Sequence, residues 1–246
     1  MRQIDKTIGL VVRGVDFSET SRIVTLYTRD LGKLGALAKG GRRLKSAFEV
    51  SLDVLSVCRI CVLRKPTAEL DLLTEARLEE RFTGLGRDLP ALYSGYFVAE
   101  LLDSLTQPHD SHPALFDVAV ASLRKLSEGE DRWFATASFA AQLLAELGYG
   151  LNLDECAACG ARAGSSQPAI GIGAGGLLCE ACRLRHFGWL PVSASAVELL
   201  GTLARGEEPR AKPERRDQDA VWRTLLGQIH ALLGRSCRME GMLKLH

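Results

Sequence analysis

Cys156-Ala-Ala-Cys159 and Cys179-Glu-Ala-Cys182 are two C-x2-C pairs with 19 residues between them. A tight C-x2-C turn aims two thiolates at one point, and two such turns complete a tetrahedral sulfur shell of the kind that holds zinc. Gly160 follows the first pair, where the chain must turn past a metal. Gly171, Gly173, Gly175 and Gly176 then shape a hairpin that leads back to the second. With all four positions taken by sulfur, none is left for water or substrate, so one structural Zn2+ per chain is expected rather than a catalytic ion. A unit with so small an apolar core folds as the metal binds. A third pair, Cys58-Arg-Ile-Cys61, lies in an apolar run, where residues three apart face opposite sides of a sheet. It reads as buried free thiols, and Cys237 is assigned nothing.

The second chemical signal is Gly32–Phe48, GKLGALAKGGRRLKSAF, which carries Lys33, Lys39, Arg42, Arg43 and Lys45 and no carboxylate. A solvated segment normally mixes both signs of charge. A one-sign segment beside the Gly40-Gly41 turn is explained by a polyanion approaching the backbone, such as a phosphate backbone. A basic loop without a partner is the alternative left open by this stretch alone. The overall charge of +1 hides an asymmetry: residues 1–48 hold ten Lys/Arg against four Asp/Glu, a net +6, and the remainder is net −5.

Other chemistries find little support. None of the five histidines (His109, His112, His186, His230 and His246) stands in an H-E-x-x-H context, and no G-x-S-x-G occurs; each reads as a surface or helix-end residue, with His186, close after Cys182, the one candidate for a ligand. The H-x-E that accompanies P-C-x-x-C in zinc deaminases is missing. Arginines, not Lys-Ser/Thr, follow Gly40-Gly41, so there is no P-loop. Glu79-Glu80 and Glu207-Glu208 read as solvated faces. The expectation is a protein that is not an enzyme. No run of eighteen apolar residues suggests a membrane span. The amino terminus lacks the apolar length of a secretory signal. A cytoplasmic location with reduced thiols is expected, which favours metal binding over disulfides.

These groups need elements to hold them. Residues 7–80 read as β-structure: Ile8–Val12, Ser21–Thr28, the basic strand from Gly32, Val50–Leu63 and Glu69–Ala76, with turns at Asp30–Gly32 and Lys65–Thr67. Five short strands fit a small OB-type barrel, and an SH3-like barrel nearly as well. Helical spacing takes over at Asp88–Leu105, with Asp88 as N-cap and Pro90 in the first turn. Leu115–Leu126 and Trp133–Leu147 are further helices. The small residues Ala135, Ala137, Ala140, Ala141 and Ala145 suit close packing in the second. Ser195 and Glu198 read as a capping box opening Ala196–Leu203. Gly206–Asp219 reads as a charged linker and Val221–Leu233 as the last helix.

In order along the chain, Leu10–Arg43, Leu143–Gly160 (LLAELGYGLNLDECAACG) and Gly175–Cys182 (GGLLCEAC) resemble RecO, a family of bacterial recombination mediators, with a weaker echo in Leu232–Leu245. The segment Val50–Ala68 departs from the family's pattern. The resemblance implies an α+β multidomain chain. An N-terminal OB-fold DNA-binding domain at 1–80 precedes an α-helical domain at 81–246, with the zinc ribbon inserted at about 153–185. It implies binding of single- and double-stranded DNA, annealing of complementary strands, and action with RecR and single-stranded DNA-binding protein (SSB) to load RecA. The acidic C-terminal tail of SSB is expected on the helical body, and the protein would join the nucleoid during repair. Arg13, Arg22, Lys33, Lys39, Arg42 and Arg43 match the family's basic DNA face, to which Lys45 of the same segment is added. Cys156, Cys159, Cys179 and Cys182 match its metal ligands. Phe17, Tyr27 and Phe48 are the only rings among residues 1–48, too few for stacking to carry binding, so phosphate contacts are expected to dominate. An RNA-binding zinc-ribbon protein of translation or transcription is the alternative.

Overall fold

The computed structural model describes residues 3–41, 48, 52–64, 70–162 and 167–243. It divides into two compact units, Met1–Arg132 with Arg238–His246, and Trp133–Cys237.

The first unit begins with five strands: β1 (Gln3–Asp16), β2 (Arg22–Thr28), β3 (Gly32–Ala38), β4 (Ser56–Arg64) and β5 (Asp71–Arg81). They close in the order β1-β2-β3-β5-β4. β1 is long enough to serve two neighbours, pairing with β4 through Gln3–Leu10 and with β2 through Gly9–Asp16. A bulge between Val11 and Arg13 bends it from one ladder into the other. The parallel pairing of β3 with β5 and the closure of β1 on β4 select the OB topology over the SH3-like one. Alternation sends Val11, Val24, Leu26, Leu34, Ala36, Ile60, Val62 and Leu73 into the barrel.

Three strands differ in length from the sequence reading. β1 and β5 extend further because outward-facing charges such as Lys6, Arg13 and Arg77 interrupt their apolar runs without interrupting their ladders. β4 starts only at Ser56, because the chain first turns through Leu55 at φ 69°, where that backbone N–H donates to the Val11 carbonyl. The β2–β3 hairpin is set by the buried Thr28 hydroxyl, which accepts from Leu31 N–H and donates to the Gly32 carbonyl. Gly32 has φ +68°, and a Cβ there would lie 2.3 Å from the Asp110 carbonyl oxygen.

Two helices complete this unit, α1 (Leu89–Leu105) and α2 (Pro113–Glu128). Asp88 occupies the N-cap position of α1, with Pro90 in the first turn. α1 lies against β1 and β2. Leu10 and Tyr27 pair across that ladder and are fully buried without belonging to the barrel interior, so the outer face there is covered. Glu100 on α1 accepts from the backbone N–H groups of Arg238 and Met239, which fastens the C-terminal segment to this unit.

The second unit holds α3 (Arg132–Glu146), a three-stranded sheet of β6 (Ala169–Gly171), β7 (Gly176–Leu178) and β8 (Trp189–Pro191), and a short α4 (Glu180–Arg183). It ends with α5 (Ala194–Ala204) and α6 (Arg215–Leu233). Ala135, Ala137, Ala140 and Ala141 are buried as expected, whereas Ala145 is exposed. Two helix starts move. The N-cap of α5 is Ser193, not Ser195, and its hydroxyl accepts from Ala196 N–H. α6 begins within the expected linker, because Asp217 is buried there and accepts from Ser193 Oγ (2.5 Å) and Ser195 Oγ (2.6 Å).

Candidate nucleic-acid interface and metal centre

The sulfur cluster is assembled by local turns. Gly160 N–H donates to the Cys156 carbonyl at 2.8 Å, and Gly160 takes φ +71° where a Cβ would meet nothing, so its glycine serves the backbone turn. Asn152 Oδ1 accepts from Asp154 and Glu155 N–H just before the first pair, and Ala157 N–H donates to the Leu177 carbonyl on β7. A Cβ on Gly176 would sit 2.3 Å from the Asn152 carbonyl oxygen, so the hairpin glycine permits this close approach. The second pair opens α4, with Cys179 at its N-cap.

The four thiol sulfurs of Cys156, Cys159, Cys179 and Cys182 all lie within 4.8 Å of one another. Cys159 Sγ and Cys179 Sγ are 3.7 Å apart. Zinc–sulfur bonds of about 2.3 Å in a tetrahedron require sulfurs about 3.8 Å apart, so the residues fit a four-thiolate ion. The Cys156 thiol is drawn down to about 6, first by hydrogen bonding from the Cys179 backbone, while side-chain bonds to Cys159 and Cys179 push Cys182 up to about 12. A cation bound here would favour the thiolate form of all four. Among the described residues this is the one group of His, Cys, Asp and Glu side chains gathered closely enough to hold a metal, and His186 is outside it.

Cys58 and Cys61 face opposite sides of β4 as expected, but only Cys58 is fully buried, and burial pushes its thiol up to about 12. Cys61 is half-buried on the outer face, with its sulfur 3.5 Å from Glu75 Oε2, so the expectation of two buried thiols holds for one.

The basic residues separate into groups. Arg13 lies opposite Thr25, Arg22 lies opposite both Asp16 and Ala38, and Lys39 directly follows Ala38. These three therefore sit toward one end of the β1–β2–β3 sheet. Arg13 and Lys39 are exposed and pair with no carboxylate among the described residues. Arg22 is half-buried, 3.6 Å from Asp16, and donates to the Leu52 carbonyl at 3.3 Å. Lys33 stands apart, six residues back along β3, about 20 Å at the rise of a strand. Its ammonium donates to the Asp103 carbonyl, and burial holds it below its ordinary range. Arg42, Arg43 and Lys45 lie outside the described residues.

Elsewhere on this unit several arginines are paired with carboxylates, while Lys6 and Arg77 are exposed without one among the described residues. Arg29 is bidentate to Asp117 (3.0 and 2.8 Å), Arg124 to Glu80 (2.7 and 2.6 Å), and Arg81 reaches Asp53 at 2.7 Å. Arg13 and Lys39 thus share one end of the sheet as unpaired cations. Of the three rings among residues 1–48, Tyr27 and Phe48 are buried. Phe17 is 62% exposed on the β1–β2 loop, which is closed by Phe17 and Ser18 N–H donating to the Ser21 carbonyl. The sequence reading also passed over Leu184, Phe187 and Trp189, which are exposed beside the second cysteine pair. An acid-free run of arginines and rings there was the available signal.

A closed OB barrel followed by helices, with a four-cysteine group set among them in the chain, defines a mixed β-barrel and helical protein with a group of thiols that could hold a metal ion. Two family models match in tandem: recombination protein O N terminal over residues 1–82, and recombination protein O C terminal over 86–236. The chain is 43% identical over 215 residues to the DNA repair protein RecO of Rhodopirellula baltica, covering 86% of this chain and 78% of that one. It is 32% identical over 218 residues to the DNA repair protein RecO of Anaeromyxobacter sp. strain K, 86% of each. Against the DNA repair protein RecO of Bacillus pumilus it is 30% identical over 195 residues, 79% of this chain and 75% of that one. The chain belongs to the RecO family.

Proposed function

We propose that this protein is a non-enzymatic DNA-binding protein of recombinational repair. It binds single- and double-stranded DNA, anneals complementary strands and, with RecR, helps load RecA on SSB-coated single strands. The observation that carries this reading is the unneutralised charge of Arg13 and Lys39 at one end of an OB barrel on which Arg29, Arg59 and Arg81 are paired with carboxylates. Arg22 lies at the same end, and Arg42, Arg43 and Lys45 follow Lys39 closely in sequence. Lys33, bound to a carbonyl, adds its field more than a contact.

Phosphate contacts give sequence-independent, salt-dependent affinity. Screening strand charge lowers the repulsion between complementary strands, a route to annealing that needs no catalytic residue. One Zn2+ held by Cys156, Cys159, Cys179 and Cys182 keeps the ribbon folded and takes no part in a reaction. The barrel, about residues 1–80, acts as the DNA-binding domain, and the helical remainder receives the SSB tail. No helix among the described residues is long and apolar enough to cross a membrane, which suits work in the cytoplasm and at the nucleoid. The test is annealing of SSB-coated complementary strands with and without the protein. Acceleration supports the reading; an unchanged rate removes the mediator role.

A further inference from the structure

The segment after the second cysteine pair, Arg183-Leu184-Arg185-His186-Phe187-Gly188-Trp189, is tied at its start by backbone hydrogen bonds and displays what most surfaces hide. Phe187 is 101% exposed, Leu184 84% and Trp189 37%. Its backbone is bonded to the second cysteine pair. Arg183 N–H donates to the Cys179 carbonyl at 2.9 Å, and Arg185 and His186 N–H both donate to the Cys182 carbonyl, at 2.9 and 3.1 Å. Gly188 at φ +74° reverses the chain, and Trp189 then enters β8 opposite Gly171. The Arg183 guanidinium carbon lies 5.1 Å from the Trp189 ring centroid, and Arg183 Nη1 donates to the Gln167 carbonyl. No carboxylate occurs between Glu180 and Glu198, and among the described residues neither Arg183 nor Arg185 pairs with one.

We propose that this ribbon tip is a second nucleic-acid site that receives unstacked bases of a single strand on Phe187 and Trp189, with Arg183 and Arg185 facing its phosphates. Exposed rings beside unneutralised guanidinium groups are the combination that single strands use, because every base has a π-face and every step a charge. The barrel lacks this capacity, since its candidate face offers one exposed ring. A duplex keeps its base faces stacked inside, so the tip discriminates between single strands and duplexes where phosphate contacts do not. The inference rests on the DNA-binding reading of the barrel and adds a base-facing element to it.

The experiment is fluorescence anisotropy with full-length protein, comparing wild type, Phe187→Ala, Phe187→Tyr and Arg185→Gln on a mixed-sequence single strand and on its duplex. Phe187 is fully exposed, so its truncation leaves the fold intact. Phe187→Ala is expected to weaken single-strand binding about fivefold to a hundredfold, the range of one lost base–ring stack. Duplex affinity and salt slope should stay as they are. Phe187→Tyr should restore binding, and Arg185→Gln should flatten the single-strand salt slope by about one. Unchanged single-strand affinity in Phe187→Ala overturns the proposal and leaves the tip to a protein partner. Equal losses on single strand and duplex also overturn it. Wild type that binds neither form defeats the barrel reading instead, so the two failures are distinguishable.

Discussion

The barrel and the ribbon hold their shapes by different means. The barrel is a continuous cylinder of ladders around an interior of Val24, Leu26, Leu34, Ile60, Val62 and Leu73. The ribbon sheet has three strands of three residues each, buries Ala169, Ile170, Leu177 and Leu178, and is joined by turns that converge on four sulfurs. Burial of apolar surface holds the first, while the second also gathers four thiols closely enough to hold an ion, whose binding would add to its stability. The same division applies to charge. Among the described residues the barrel pairs most of its arginines with carboxylates, whereas the ribbon tip leaves both arginines and rings uncovered.

Removing the metal should separate the two regions most sharply. Chelation, or Cys182→Ser, is expected to expose amides at 152–191 to hydrogen exchange with a loss on the order of 10 kcal/mol in local stability. The barrel amides should remain protected. Simultaneous opening of β1–β5 would show that the two regions are not independent. A barrel substitution should behave conversely. Leu26→Ala removes a fully buried side chain and is expected to cost about 2–5 kcal/mol in denaturant unfolding, with metal content unchanged.

A smaller effect is expected at Asp217. Burial raises its pKa, but hydrogen bonds from Ser193 and Ser195 together with Arg216 bring it below the ordinary 3.8. Because the folded value is depressed, its contribution is fully present above 3.8 and is lost as pH falls through the lower folded value. Asp217→Asn should therefore cost about 1–3 kcal/mol at neutral pH. The gap from wild type should close in acid, read from denaturant midpoints across pH. The smallest effect is expected at Lys33, where Lys33→Met should leave the salt dependence of DNA binding nearly unchanged, because its ammonium is already bonded to Asp103. Lys39→Ala should flatten it by about one.

The sequence announced those elements whose signal is local. The cysteine pairs with their glycines, the helix from Asp88 to Leu105 and the β2–β3 hairpin each carry their cause within a few residues. What depended on distant partners was not legible in the same way. Asp217 looks like linker polarity until the two serines of the α5 start are seen to bind it. Arg22 and Lys33 look alike as cations in a basic region, yet one packs beside Gly14 and Leu52 while the other is held at Asp103. Phe187 is apolar and so resembles a core residue, and only its place in a loop pinned at Cys182 leaves it outside.

The central claim is that cations at one end of the barrel hold DNA through its phosphates. The direct measurement is the salt dependence of DNA affinity for wild type and for Lys39→Ala/Arg42→Ala/Arg43→Ala. The account predicts weaker binding and a slope shallower by up to about three; the same affinity and the same slope in both proteins would contradict it.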